Sequence, residues 1–207
     1  MHLLEFGDPS AQAVLIQPVD EHDLEVIENE ARLISENCDA PFRLVAVKVH
    51  DWNADLSPWS APAVFGNNAF SGKARDTLDS LLALCPDNSK DYFIGGYSLA
   101  GLFSLWAAYQ TDVFKGLAAV SPSVWFDGWT DYAENHTFLA NKAYLSLGDR
   151  EAKTRNQTMA TVADNIIRQE QLLKNSNIPC VLEWNEGNHF RDSDLRTAKG
   201  FCWLLKR

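Results

Sequence analysis

The 207-residue sequence lacks any long uninterrupted run of apolar residues and has no basic segment followed by an apolar one near its beginning. A helix needs roughly 20 apolar residues to cross a bilayer, and a secretory leader places positive charge ahead of an apolar stretch. Glu5, Asp8 and Pro9 stand where such a leader would be. We therefore expect no membrane partner and a cytoplasmic location.

Cysteine is scarce, and no two cysteines are close in sequence. The four are Cys38, Cys85, Cys180 and Cys202. Zinc sites of the structural type use cysteines in closely spaced pairs, whereas an isolated cysteine among apolar neighbours behaves as a small hydrophobic residue. The spacing argues against a zinc site and against a disulfide scaffold. We expect no metal, and we expect no cofactor.

Basic residues are also in short supply. The sequence has 18 lysines and arginines against 28 aspartates and glutamates, a formal net charge of -10. The resulting field repels polyanions. Nucleic acid is therefore not an expected partner, and a neutral small molecule fits the charge better. Nothing in the composition indicates an oligomeric state.

What the sequence does contain is short apolar runs that alternate with segments of helical periodicity. This alternation is typical of a parallel sheet covered by helices. The predicted strands are residues 13–16, 42–49, 91–96, 116–120, 143–147 and 180–184. The expected fold is a three-layer α/β arrangement, with about six mostly parallel strands, helices on both faces, and one domain over residues 1–207. Pro18 is expected to stop the first strand.

A sharp turn between strand and helix is predicted at Ser98, inside the segment GGYSLAG (residues 95–101). A serine hydroxyl becomes a nucleophile when a base takes its proton and a tight turn exposes its oxygen. The usual pattern is Gly-x-Ser-x-Gly, and here Ala100 takes the fifth position. The helix that begins at Leu99 directs its N-terminus toward the reacting carbonyl, so the Leu99 N–H is a candidate oxyanion donor.

One histidine lies in the right place to be the base. In hydrolases with this turn, the triad follows the chain order serine, acid, histidine, on loops at the ends of strands. His2, His22 and His50 precede Ser98, and His136 does not follow a predicted strand. His189 follows the last predicted strand and is therefore the candidate general base.

Two carboxylates compete for the acid, which must orient the imidazole and stabilise its cation. Asp149 and Glu151 both follow the strand at residues 143–147. Asp149 comes first, whereas Glu151 lies where the loop has turned and has the longer side chain. We favour Glu151 and keep Asp149 as the alternative.

The remaining site residues are less strongly indicated. A second oxyanion donor normally comes from the loop after the first core strand; Pro18 has no N–H, so Val19 is the candidate, with Asp20 as its alternative. Trp52, Trp59 and Trp125 fall on loops at the same end of the sheet as the serine. They are candidate substrate contacts, although each could equally seal the core.

With these residues in place, the sequence resembles the esterase D branch of the α/β-hydrolases, a group that includes ferric-enterobactin-type esterases. The resemblance covers most of the chain. Its motifs are GGYSLAG (95–101), DWNADLSPW (51–59), VSPSVW (120–125) and GDRE (148–151). The last matches the family's pattern of glycine, two residues and an acid, and so implies Glu151.

The sequence departs from this family in three ways. The opening strand of the family commonly ends in His-Gly, where this chain has Gln17 and Pro18. The chain also lacks the antiparallel strands usually found ahead of the core, and it has no insertion long enough for a lid. The resemblance thus implies a minimal member with an open site.

Three functions are compatible with this pattern. The first is a serine hydrolase that cleaves a small or medium neutral carboxylic ester through an acyl-enzyme. The second is an acyltransferase that uses the same residues and differs in what excludes water. The third is a hydrolase-like binding protein without catalysis, which the irregular segment 16–19 would suit.

Overall fold

The computed structural model describes residues 2–206, and a seven-stranded sheet runs through it. The strands and helices are, in chain order, β1 (His2–Gly7), β2 (Ala13–Val19), α1 (Glu21–Asn37), β3 (Phe42–Lys48), α2 (Trp52–Asp55), β4 (Ser60–Ala61), β5 (Phe70–Ser71), α3 (Ala74–Leu82), β6 (Asp91–Tyr97), α4 (Leu99–Ala107), β7 (Phe114–Val120), α5 (Trp129–Asn135), β8 (Ala143–Gly148), α6 (Gln157–Ala160), α7 (Val162–Asn175), β9 (Cys180–Asn185) and α8 (Ser193–Leu205). Strands β4 and β5 form a separate two-stranded pair.

The order of the large sheet is β1-β3-β2-β6-β7-β8-β9. All neighbours pair in parallel except β1, which runs antiparallel to β3 at the edge. The predicted α/β class with a mostly parallel sheet is thus confirmed. The expectation that no antiparallel strand precedes the core was wrong, because β1 is an edge strand whose side chains are exposed or half-buried, which gives only a weak apolar pattern.

Two apolar cores fill the space on either side of the sheet. On one face, α1 and α8 pack side chains such as Ile27 and Phe201 against the strands. On the other face, Leu78, Leu102 and Ile166 belong to the larger core formed with α3, α4 and α7. Because α4 is buried all round, the turn that precedes it is fixed by packing on every side.

Pro18 does not stop the first core strand as expected; β2 continues through it to Val19. Along an interior strand, the backbone N–H and C=O groups of successive residues point alternately to the strand on one side and to the strand on the other. The Val19 carbonyl points to β3, where it accepts from the Val49 N–H at 3.0 Å. The nitrogen of Pro18 therefore faces β6. The pairing of β2 with β6 ends at Ile16, so the missing N–H removes no ladder hydrogen bond.

Two of the four cysteines are not isolated as their spacing suggested, since Cys38 and Cys202 are bonded, with their Cα atoms 5.7 Å apart. A single bond is not the disulfide scaffold that the spacing argued against. The pair joins the end of α1 to α8 across a sequence separation of 164 residues, a distance over which spacing carries no signal. Disulfides are typical of oxidising compartments, so this bond does not favour the cytoplasmic location, which stays a prediction. Within residues 2–206, no helix is long and apolar enough to span a membrane.

A buried carboxyl and a buried amide face each other beneath α1. Glu30 is buried against Gln17, whose side-chain amide donates to Glu30 Oε2 at 3.3 Å. The second carboxyl oxygen of Glu30, Oε1, and the amide oxygen of Gln17 have no partner. Burial raises the pKa of Glu30 well above its usual value. A protonated Glu30 can donate to the free oxygen of Gln17, which would pair both groups.

We expect Glu30→Gln to stabilise the protein at alkaline pH and to leave it unchanged near pH 4. The folded-state pKa of Glu30 is raised, so its contribution to stability is present in acid and is lost as pH rises through that pKa. Glutamine copies the neutral acid and cannot ionise. Urea unfolding at several pH values should show a gain of about 1–3 kcal/mol above neutrality. Glu28→Gln, on the exposed side of α1, is the matched control, and an equal gain in both variants would contradict the explanation.

Candidate active site

Ser98 lies on a strained turn between the end of β6 and the first residue of α4. Its backbone has φ 56° and ψ -117°, a conformation that costs a non-glycine residue free energy and is found at functional turns. Two hydrogen bonds hold the turn to β7 and to the loop after it: the Ser98 N–H donates to Val120 O, and the Ser123 N–H donates to Ser98 O, each at 3.0 Å. The serine oxygen is thereby presented beyond the carboxyl end of the sheet.

Small residues on both sides make this turn possible. A Cβ added to Gly96 would lie 2.5 Å from the Cβ of Ala100, and one added to Gly101 would lie 3.0 Å from Gly96 O. Contacts under 3.0 Å force a shift of the backbone or the neighbour. Ala100 in the usual glycine position is therefore tolerated because Gly96 has no side chain.

The structure brings Ser98, His189 and Glu151 together at this edge. His189 Nε2 lies 3.0 Å from Ser98 Oγ, and His189 Nδ1 lies 2.7 Å from Glu151 Oε2. The histidine is partly open, with 26% of its side chain exposed, whereas 3% of the Glu151 side chain is exposed. Both ring nitrogens are engaged in one line from carboxylate to hydroxyl, the arrangement through which a histidine can move a proton.

The environment of Glu151 keeps it ionised. Its second oxygen, Oε1, accepts hydrogen bonds from Ser121 Oγ and from the Gly148 N–H, both at 2.7 Å. Burial alone would raise the pKa of Glu151, but the hydrogen bond and charge of His189, together with these two donors, outweigh burial and lower that pKa. An ionised acid is what a histidine needs to stabilise its cation.

Asp149, the alternative acid, lies in the same loop but is engaged elsewhere. Its Oδ1 accepts from the Gly187 N–H at 2.8 Å. This bond ties the loop after β8 to the loop after β9, which carries His189. Asp149 therefore stabilises the histidine loop, whereas Glu151 contacts the imidazole.

The two predicted oxyanion donors differ in orientation. Leu99 is the first residue of α4, and the first N–H of a helix has no partner within the helix. Val19 pairs with Lys48 of β3, and its carbonyl accepts from Val49, so in a parallel ladder its N–H also faces β3 and away from Ser98. The Asp20 N–H donates to the Asp23 carboxylate at 3.2 Å. The structure thus gives no support to Val19 or Asp20, because β2 continues to Val19, beyond residue 16, where the strand was predicted to end.

The three predicted tryptophans pack against the larger core. Trp125 is buried, and Trp52 and Trp59 are partly buried against the same cluster. Trp59 also donates its indole N–H to Asp127 O at 2.9 Å. At the outer edge of this aromatic group Phe65, which is 45% exposed, packs edge-on against Trp125. Their predicted contact with substrate stays a prediction.

Two neighbours of the site were missed from the sequence. Phe190 directly follows His189, packs edge-on against its ring and is 90% exposed. Arg196 is fully buried in α8 and contacts Glu151 Oε1 at 3.3 Å. A signal for Arg196 was available: Arg196, Gly200 and Leu204 recur every four residues on one helical face, which places the arginine on the packed side of α8.

Among residues 2–206, no group of three or more histidine, cysteine or acidic side chains is placed to hold a metal ion.

Comparisons with known proteins identify similar folds but no sequence family. A scan against models of protein families found no match, and neither did a search of curated protein sequences. Among solved structures, the siderophore hydrolase EstA from Aspergillus nidulans is similar with a TM-score of 0.66 and 19% identity, over 96% of this chain and 85% of that one.

Two further structures show the same architecture. The enterobactin esterase FES from Shigella flexneri matches with a TM-score of 0.64 and 13% identity over 98% of this chain, which spans 54% of that protein. FphF, a fluorophosphonate-binding serine hydrolase from Staphylococcus aureus, matches with a TM-score of 0.61 and 12% identity, over 100% of this chain and 99% of that one. At these identities the similarity shows the fold, and that fold is the α/β-hydrolase fold of these esterases and serine hydrolases.

Proposed function

We propose that this protein is a carboxylic ester hydrolase in which Ser98 is the nucleophile, His189 the general base and acid, and Glu151 the residue that orients and stabilises the histidine. The observation that carries the proposal is the unbroken line of contacts from Glu151 Oε2 to His189 Nδ1 and from His189 Nε2 to Ser98 Oγ. The strained serine turn and the esterase names of the similar structures support it.

The geometry supports a two-step reaction. Ser98 Oγ attacks the ester carbonyl carbon while its proton passes to His189 Nε2. The Leu99 N–H and the N-terminus of α4 stabilise the negative oxygen of the tetrahedral intermediate. The intermediate then expels the alcohol, which takes the proton from His189 and leaves the acyl group on Ser98. His189 next removes a proton from water, whose oxygen attacks the acyl carbon. When this second intermediate collapses, the bond to Ser98 Oγ breaks, His189 returns the proton to that oxygen, and the acid is released.

We propose a neutral ester of small or medium size as the substrate. The net charge of -10 disfavours anionic esters, and the exposed ring of Phe190 beside His189 offers an apolar contact. We propose that Trp52, Trp59 and Trp125 line the substrate side, that no cofactor is used, and that the activity resides in one domain over residues 1–207.

Because His189 is partly open to solvent, water can reach the acyl-enzyme, which favours hydrolysis over acyl transfer.

A panel of chromogenic esters of graded acyl length tests the proposal. We expect the wild-type protein to hydrolyse short or medium neutral esters and Ser98→Ala to lose the activity. Adding an alcohol acceptor to the same assay measures acyl transfer. A folded wild type that hydrolyses no ester in the panel would sink the proposal and favour a binding protein. A Ser98→Ala variant that keeps wild-type rates would show that Ser98 is not the nucleophile and would sink the proposal as well.

A further inference from the structure

A buried guanidinium lies directly behind the candidate triad. Arg196, in the first turn of α8, is 2% exposed. Its Nη1 contacts Tyr97 OH at 3.1 Å, Asn188 O at 3.2 Å and Glu151 Oε1 at 3.3 Å. Its Nη2 donates to Glu186 O at 2.9 Å. One side chain therefore touches the end of β6, the acid loop and the histidine loop.

The contacts of Arg196 constrain both Glu151 and the loop that carries His189. Donation to Glu186 O and Asn188 O holds the backbone immediately before His189, and Tyr97 OH, which also contacts Arg196, donates to His189 O at 2.9 Å. On the acid side, Arg196 shares Glu151 Oε1 with Ser121 and Gly148, which leaves Oε2 for the imidazole. A planar guanidinium is suited to such a fork, and a lysine is not.

The glycine at the start of the acid loop is required by the same cluster. A Cβ on Gly148 would lie 2.5 Å from Gly187 O, 2.9 Å from Glu151 Oε1 and 3.1 Å from Arg196 Nη1. Glu151, Arg196 and the histidine loop therefore pack so closely around Gly148 that a methyl group would not fit there. Burying a charge is costly unless it is paired. An apolar side chain could anchor α8 without that cost, so anchoring alone does not explain an arginine at this position.

We infer that Arg196 is a positioning residue of the candidate triad, which aligns Glu151 and the His189 loop with one another and offsets the negative charge of Glu151 with its own cation. The inference rests on the proposed function. It assigns Arg196 two separable effects. The fork sets the geometry of the triad, and the cation offsets the negative charge that Glu151 places beside the imidazole.

The other ionisable groups around Arg196 do not supply a competing charge. Burial raises the pKa of Tyr97 to about 12 and raises that of Tyr144 as well, so both phenols are neutral at working pH. The carboxylates of Glu186 and Asp192, near in sequence, pair with the exposed Arg191. Asp149 faces the Gly187 N–H. The pH readout therefore reports on Arg196, Glu151 and His189.

Arg196→Lys and Arg196→Met separate the two effects in the esterase assay. The lysine variant keeps the cation but loses the fork, so we expect kcat to fall about 10-fold or more, with KM and the acid-side pH of half-maximal kcat/KM unchanged. The methionine variant loses both. Its kcat should fall further, and its half-maximal pH should rise by roughly one unit because the charge of Glu151 is no longer offset.

Arg32→Met, an exposed arginine of α1, is the matched control and should leave the pH profile unchanged. A wild-type kcat in Arg196→Lys overturns the inference, whether or not Arg196→Met folds. So does a loss of kcat in a folded Arg196→Met with no movement of the pH profile, since a purely structural anchor would act in that way. An inactive wild type is a different result and overturns the proposed function itself.

Discussion

We expect His189→Ala to lower kcat for ester hydrolysis by about 10⁴–10⁶-fold with little change in KM. The imidazole lies 3.0 Å from Ser98 Oγ and 2.7 Å from Glu151 Oε2, so its removal leaves the serine without a base and the leaving alcohol without a proton donor. Substrate binding involves neither transfer. The residual rate would come from the oxyanion donor and from binding alone. Steady-state kinetics on a chromogenic ester measures both parameters.

His136→Ala provides the matched control for this prediction. His136 is exposed at the end of α5, where its Nδ1 lies 2.8 Å from Tyr132 O, so its loss should leave kcat close to the wild-type value. A His189→Ala variant that kept more than about a tenth of the wild-type kcat would be inconsistent with general-base catalysis by this residue.

The second large effect is expected from Glu151→Gln, which should lower kcat by about 10³–10⁴-fold. Glutamine keeps the shape of the side chain but removes the charge that stabilises the histidine cation. It also permits the amide to face the imidazole as a donor, which favours the wrong tautomer. The rate should therefore fall even though the residue still fits among Ser121, Gly148 and His189.

Asp149→Asn makes the comparison between the two carboxylates direct. The amide oxygen of asparagine can still accept from the Gly187 N–H, the one side-chain contact that Asp149 Oδ1 makes with the histidine loop. We expect less than about a 10-fold loss. If Asp149→Asn proved the more damaging of the two changes, the acid would be Asp149 and the assignment of Glu151 would fail.

Much of the fold could be predicted because parallel strands are buried on both faces and so appear as continuous apolar runs. Strands β7 and β8 are of this kind. Edge strand β1 could not be predicted, since its half-exposed side chains produce little apolar signal. The bond between Cys38 and Cys202 depends on how α1 meets α8 in space, which no local pattern encodes.

The candidate site could be predicted where chain order and strand ends fix positions. Ser98 and His189 followed from the turn motif and from the order of the triad, and the structure places them within 3.0 Å of one another. For the acid, loop position and side-chain length favoured Glu151 but left Asp149 open, because the sequence does not contain the directions in which the two side chains point. The role of Val19 could not be predicted, because the direction of its N–H depends on where the pairing of β2 with β3 ends. That pairing includes Val19, so its N–H faces β3 and not the active site.

Covalent labelling with a fluorophosphonate probe, followed by mass spectrometry of the digested protein, tests the identity of the nucleophile most directly. We predict a single adduct on the peptide that contains Ser98, and no adduct in Ser98→Ala. Ser123→Ala, which removes the hydroxyl 3.4 Å from Ser98 Oγ, should still be labelled at Ser98. A folded wild-type protein that takes up no probe, or an adduct on another residue, would contradict the proposal that Ser98 is an activated nucleophile.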